Sequence, residues 1–348
     1  MYAVSGSAWC VRLGATKVGD MKLLVLGGTR FVGRSVVLDA LARGWEVTAL
    51  NRGVTGALPD AVQALTADRT DPAALAEALG DKEFDAVFDP WAQAPKVVQA
   101  SAQLLKGRVG QYAYCSSISA YTDGRPPGGD ESWPAVEASA GAEATAYQED
   151  KRGGELAALE SFPDALVGRP GLILGPYEDI GRLPWWLGRA AKGGRMVAPG
   201  RPDRPLQYVD ARDLAAWFND NLAAGASGIT DLVDPSGHTT TRSLLEAVVG
   251  VTGGRAELHW VPEEVVLEHA EPWVQLPGWV PETDEFRGFM ESDTSRAVAT
   301  GLVSRDIADT CAATWEWLQR DGFPVQRPDR PQHGLPETAE TALLAWGP

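Results

Sequence analysis

A phenol and an ammonium stand four residues apart in Tyr147-Gln-Glu-Asp-Lys151. On a helix, positions i and i+4 lie on one face, so the two groups would share one edge of the element. A tyrosine, with a reference pKa of ~10, must lose its proton to act as a base near neutrality. A neighbouring ammonium favours the phenolate and also offers a donor to a hydroxylated ligand such as a ribose. Ser116 and Ser117 follow an apolar run that ends at Cys115. A serine hydroxyl there can hydrogen-bond a substrate carbonyl oxygen while Tyr147 gives or takes the proton. Either piece alone is common, and an isolated Tyr/Lys pair reads equally as surface packing.

A second set of residues suits a phosphate. Gly27-Gly28-Thr29-Arg30-Phe31-Val32-Gly33 joins an apolar run to a helical one. Glycines there let the backbone turn sharply and approach a pyrophosphate, and the following helix N-terminus supplies N–H donors. The other reading is a tight strand–helix turn without a ligand. Asn51 and Arg52 close the next apolar run. An acidic residue at that point would hold the ribose 2′-OH of NAD. A neutral Asn51, with Arg52 beside it and Arg30 in the loop, suits a 2′-phosphate instead, so NADP is expected, with NAD possible. Asp68 could accept from an adenine amino group, or could equally be a surface or capping residue.

The elements that must position these groups alternate. Lys22–Leu26, Glu46–Asn51, Val62–Thr66, Phe84–Asp89, Gln111–Cys115 and Ala165–Arg169 read as strands. Phe31–Arg43, a segment opening at Asp71-Pro72, Pro95–Leu105 and Tyr147 to about Leu159 read as helices. Asp71 is a plausible N-cap, with Pro72 in the first turn. A loop rich in Pro, Gly and acids spans 122–141. Such alternation predicts an α/β fold, a doubly wound parallel Rossmann sheet with a smaller C-terminal substrate domain. After Gly175 prolines and tryptophans become frequent, while Gln207–Asp213 and Ile229–Val233 still look like sheet or sheet edge. The expected division is 21–175 and 207–233 for the sheet domain, and 176–206 and 234–330 for the substrate domain. Residues 1–20 read as a loose extension and 331–348 as a surface tail.

Composition narrows the function classes. The chain has 348 residues, about two domains' worth. Lys and Arg number 31 against 47 Asp and Glu, a formal net charge of −16. That excess repels phosphate backbones and anionic lipid, so neither nucleic acid nor membrane is an expected partner. Cys10, Cys115 and Cys311 are odd in number and far apart, which fits a reducing cytoplasm rather than a disulfide framework. His238, His259, His269 and His333 are scattered, so no metal site is expected.

Taken together, these motifs resemble an extended short-chain dehydrogenase/reductase of the NAD-dependent epimerase/dehydratase family, over about Met21 to Gln319. The segment 27–33 is similar to the family's glycine loop, with Arg30 in place of its middle glycine. Tyr147 and Lys151 resemble its Tyr-x-x-x-Lys pair. Cys115-Ser116-Ser117-Ile118-Ser119-Ala120-Tyr121 resembles its serine segment, which implies Ser117 as the active hydroxyl. Arg169-Pro170-Gly171 resembles the stretch that lines the nicotinamide, which implicates Pro170. The segment 207–213 is similar to the one that returns the chain to the sheet. Family dehydratases follow the active hydroxyl with Asp-Glu. Here Ile118-Ser119 stands in that place, so dehydration is disfavoured. Leu206 replaces an arginine that sugar-nucleotide enzymes carry, with Arg204 nearby. The resemblance also suggests a homodimer.

The resulting expectation is an NAD(P)-dependent oxidoreductase or epimerase. It would move a hydride between nicotinamide and a hydroxyl/keto carbon of a small polar, sugar-like or secondary-metabolite substrate. The alternative is a nucleotide-binding regulator or scaffold without turnover, and an RNA-associated member is opposed by the −16 charge. Among other residues, Cys115 reads as a buried structural thiol and Asp89 as a cap for the turn at Pro90. Trp185 and Trp186 read as either a ligand wall or core anchors, and His238 as a loop residue without a partner.

Overall fold

The computed structural model describes residues 21–283, 286, 288–328 and 330–347. The expected extension 1–20, with Cys10, lies outside them. The chain runs β1 (Lys22–Leu26), α1 (Phe31–Ala42), β2 (Glu46–Asn51), β3 (Gln63–Thr66), α2 (Pro72–Leu79), β4 (Phe84–Asp89), α3 (Pro95–Leu105) and β5 (Val109–Cys115). A 3-10 turn at Ile118–Ala120 follows, then α4 (Tyr147–Ser161), β6 (Leu166–Pro170), β7 (Leu172–Leu174), α5 (Arg182–Ala191), β8 (Gly194–Pro199) and β9 (Tyr208–Asp210). Next come α6 (Ala211–Ala223), β10 (Gly228–Leu232), α7 (Thr241–Val251), β11 (Ala256–Val261), α8 (Glu263–His269), β12 (Pro272–Trp273) and β13 (Leu276–Pro277). The chain closes with α9 (Ser295–Ala299), α10 (Ile307–Asp321) and α11 (Glu337–Ala345).

Seven strands form one parallel sheet in the order β10-β6-β5-β4-β1-β2-β3. Leu23, Leu24 and Val25 of β1 are fully buried, since helices cover both faces of a parallel sheet. One face packs against α1 and α6 through Val36, Val37, Trp217 and Phe218. The other gathers Leu75, Leu79, Val98, Leu105, Ala157 and Ala158 from α2, α3 and α4. The chain leaves β1 toward β2 and β3, then returns to β4 on β1's other side. That reversal opens a crevice at the carboxyl ends of β1 and β4, where such sheets bind ligands. The glycine loop and Asp89 sit at those two ends.

A third buried cluster joins Leu172, Leu183, Trp186, Tyr208, Leu245, Trp279 and Trp317. Beneath it β8 pairs with β11, and β7 with β9, in separate two-stranded sheets. Two expectations are corrected here. Within 207–213 only Tyr208–Asp210 is strand, because Asp210 accepts from the Arg212 N–H and so starts α6 at Ala211. The stretch 331–348 is more than a surface tail: it carries α11, whose Leu343 is fully buried in the third cluster. No helix among the described residues is long and apolar enough to cross a membrane.

Candidate active site

Backbone geometry shows why the first loop needs its glycines. Gly27 and Gly28 have φ of +146° and +96°, which residues with a Cβ seldom adopt. At Gly33 a Cβ would lie 2.9 Å from the Gly28 nitrogen, so its absence lets the start of α1 rest on the loop. The N-cap of α1, Arg30, supplies no side-chain acceptor, which leaves the helix's first N–H groups free for an anion. This bare cradle fits a pyrophosphate. Phe31 and Val32 turn into the core. The Thr29 hydroxyl pairs with that of Thr55 at 2.7 Å.

The residues expected around the adenosine ribose have local partners. Arg30 donates to Asp179 at 2.9 Å, tying the loop to the chain beyond β7. The Asn51 side-chain oxygen accepts from the Gly53 N–H at 2.7 Å, leaving its amide hydrogens free. Arg52 is exposed. Asp68 accepts from the N–H and hydroxyl of Thr70 through one oxygen. Those bonds, with Arg52 nearby, hold the Asp68 carboxyl below its ordinary range. Its second oxygen makes no bond to a described residue.

The candidate catalytic set is tied to the strand ends. Lys151 is buried, and its Nζ donates to the carbonyls of Cys115 at 2.6 Å and Trp91 at 2.8 Å. An ammonium has three hydrogens, so one remains for a ligand. These bonds join α4 to the carboxyl ends of β5 and β4. Tyr147 is the first residue of α4 and is 38% exposed. Ser117 accepts from the Ser119 N–H at 3.1 Å and caps the 3-10 turn, so its own hydrogen stays free to donate. Ser116 is committed elsewhere, donating to Glu155 at 2.6 Å. The geometry therefore separates the two serines and favours Ser117. Pro170 ends β6 opposite Leu232 and is buried.

Sequence reasoning missed much of the frame behind this set. Gly153 and Gly154 let α4 approach closely: a Cβ would fall 2.4 Å from Pro95 and 2.1 Å from the Tyr114 hydroxyl. Two adjacent glycines in a helical run were the available signal. Glu155, fully buried, accepts from Arg169 at 2.7 and 2.6 Å and from Arg152 at 2.8 Å. Burial pushes this carboxyl up, but the Arg169 guanidinium outweighs it and holds Glu155 below the usual range. Arg169 and Arg125 both lie over the Tyr121 ring, at 4.5 and 4.2 Å. Tyr121 donates to Asp231 at 2.7 Å, and Arg125 donates to the same carboxylate at 2.6 Å.

Asp89 does more than cap the turn. It accepts from Trp91 N–H at 2.9 Å, and it also takes two bonds from Arg69 and one from Tyr112. It thereby fixes the turn whose carbonyl receives Lys151. Asp234, just past β10, is buried with neither carboxylate oxygen hydrogen-bonded. Burial, with Asp213 and Asp210 nearby, pushes it up to about 7 against the opposing influence of the Ser304 hydroxyl and His238.

Other singled-out residues have structural partners. Burial raises the Cys115 thiol to about 11, as suits a structural cysteine. Trp186 is buried and donates to Pro277 O at 2.8 Å, with Trp185 edge-on against it. Leu206 is core, and Arg204 donates to the carbonyls of Val280 and Pro281. His238 is not partnerless: its Nε2 lies 3.2 Å from Arg305 O.

Comparison with known proteins agrees with this fold. The NAD dependent epimerase/dehydratase family profile matches residues 23–228. A putative dihydroflavonol 4-reductase of Synechocystis sp. is 28% identical, over 86% of this chain and 95% of that relative. A chloroplast stem-loop binding protein of 41 kDa from Arabidopsis thaliana is 23% identical, over 78% of each chain. The Bordetella bronchiseptica enzyme WbmH, crystallised with NAD+, superposes with a TM-score of 0.65 at 19% identity, over 87% of this chain and 99% of that one. At that identity the likeness is one of fold.

Proposed function

The chain belongs to the NAD-dependent epimerase/dehydratase family, and on that premise we propose that it is an NAD(P)-dependent oxidoreductase or epimerase acting on a hydroxyl/keto carbon of a small polar substrate. One observation carries the reading. Lys151, on the turn after Tyr147, is bonded to Cys115 O, two residues before Ser117, so one contact locks the phenol's helix to the serine's strand end. Gly27, Gly28 and the N–H groups ahead of α1 would hold the pyrophosphate, and the third hydrogen of Lys151 the nicotinamide ribose. When bound, the nicotinamide supplies the hydride donor or acceptor. Ser117 donates to the substrate oxygen and fixes its place. Tyr147 gives that oxygen a proton or takes one, with the Lys151 ammonium one helical turn further along the same face.

NADP remains our preferred cofactor, resting now chiefly on Arg52, since Arg30 is engaged with Asp179. The stem-loop binding relative raises an RNA-associated reading, which the net charge of −16 opposes. The test is turnover of reduced cofactor with a panel of ketones and keto-sugars. Tyr147→Phe should lower kcat about a hundredfold or more and leave cofactor affinity unchanged. Cofactor binding with no turnover would favour the scaffold reading. Undiminished turnover in Tyr147→Phe would remove the phenol from the mechanism.

A further inference from the structure

Tyr147 has a cationic neighbour that the proton transfer above does not use. The Arg330 guanidinium lies 5.2 Å from the centre of the Tyr147 ring. Among the described residues it makes no side-chain hydrogen bond or ion pair. Its position is built rather than incidental. The Gln326 carboxamide bonds both backbone groups of His333, donating to its carbonyl at 2.9 Å and accepting from its N–H at 2.6 Å. That clasp brings Gln326 and His333 together, and Pro328 and Pro331 between them fix their own φ. The Gln332 amide donates to the carbonyl of Arg327 at 3.0 Å across the loop.

The base of the loop is docked. Gln326 packs on Gly181, where a Cβ would lie 2.7 Å away. Gly334 donates to Val274 O at 3.1 Å and sits against Trp185, where a Cβ would fall 2.5 Å from Nε1. Across from the loop, Tyr147 opens α4, a helix of 15 residues whose N-cap, Ala146, offers no side-chain acceptor. Its N-terminus carries positive potential. The acids of that first turn do not answer Arg330. Asp150 is turned back onto Thr145, accepting from its N–H and hydroxyl at 2.8 and 3.0 Å. Glu149, two residues on from Tyr147, faces a different side of the helix.

We propose that Arg330 and the first turn of α4 form a subsite for an anionic group of the substrate, a carboxylate or a phosphate ester carried close to the reacting carbon. The inference rests on reading Tyr147 as the proton-transfer residue, and it narrows the substrate from small and polar to small and anionic. A guanidinium stacked on the phenol ring keeps its edge free for two parallel bonds to such a group.

The probes are oxalate and inorganic phosphate, titrated calorimetrically at constant ionic strength into wild type, Arg330→Gln and Arg330→Lys, each with and without saturating nicotinamide cofactor. Wild type should bind at least one anion. Arg330→Gln should weaken that binding about tenfold or more, Arg330→Lys should restore part of it, and cofactor affinity should be the same in all three. Tighter oxalate binding identifies a carboxylate subsite, and tighter phosphate binding a phosphoryl one. Failure of wild type to bind either anion, or equal binding by Arg330→Gln, would overturn the proposal. Absence of cofactor binding would instead count against the dinucleotide reading, because the anion titration is also run without cofactor.

Discussion

At the glycine loop, Arg30 meets Asp179 at 2.9 Å with the arginine side chain 46% exposed. Behind the serines, Arg169 meets Glu155 at 2.6 Å with the two side chains 3% and 0% exposed. The ionic chemistry is the same and the consequences differ. A solvated pair contributes roughly 0–1 kcal/mol and can trade partners when a ligand arrives. A buried pair has already lost its water, so removing one member strands the other. The pair at the glycine loop is therefore adaptable, while the frame under Ser117 and α4 is fixed.

The comparison would break first at the buried end. Arg169→Ala should destabilise the protein by ~3–5 kcal/mol in denaturant unfolding, because Glu155 keeps its burial and loses its main partner. A loss under about 1 kcal/mol would show that this network is as dispensable as a surface pair. Asp234 tests burial without a salt bridge to a described residue. Its folded pKa of about 7 lies above the ordinary 3.8, so the folded state holds the extra proton between those values. The stabilisation is complete below about pH 4 and is lost as pH rises through about 7. Asp234→Asn should flatten that slope and stabilise the protein at about pH 8 by on the order of 1–2 kcal/mol. An unchanged slope would mean that Asp234 is not the titrating group.

Effects at the exposed end should be smaller. Wild type should prefer NADP to NAD about tenfold, and Arg52→Ala should remove most of that preference in cofactor titrations. Asp179→Ala releases Arg30 and should raise NADP affinity about threefold, with little change for NAD. If Asp179→Ala weakened both cofactors equally, the Arg30–Asp179 pair would be shaping the glycine loop rather than competing with a phosphate.

The sheet and the shared helix face of Tyr147 and Lys151 were legible because each is local in sequence. Apolar runs such as Lys22–Leu26 and Phe84–Asp89 end at glycines or turn residues, and Tyr147 and Lys151 share a single helix turn. Ser117 was placed by resemblance, and only the Ser116–Glu155 bond showed why its neighbour is unavailable. The frame behind them leaves no pattern along the chain. Tyr121 and Asp231 are 110 residues apart, and Arg125 and Asp231 are 106 apart. Arg30 and Arg52 were read as a pair from their types alone, since nothing near Arg30 in sequence announces Asp179. The start of α6 should have been readable, because Asp210 ahead of Ala-Arg-Asp is a helix-capping arrangement. The apolar Tyr208-Val209 before it suggested sheet and masked that boundary.

The adjacent glycines of α4 bear on how the molecule assembles. Each weakens a helix interior by roughly 0.8–1 kcal/mol relative to alanine, and an isolated helix of about 15 residues is marginal even without them. Until α3 and β5 present Pro95 and Tyr114 as a docking surface, this segment has little reason to be helical. Its order is thus acquired late, after the sheet's nucleus, and substitutions within it should accelerate unfolding while scarcely altering the rate of refolding. The spacing of Tyr147 and Lys151 comes into being only when the rest of the sheet is already there to receive it.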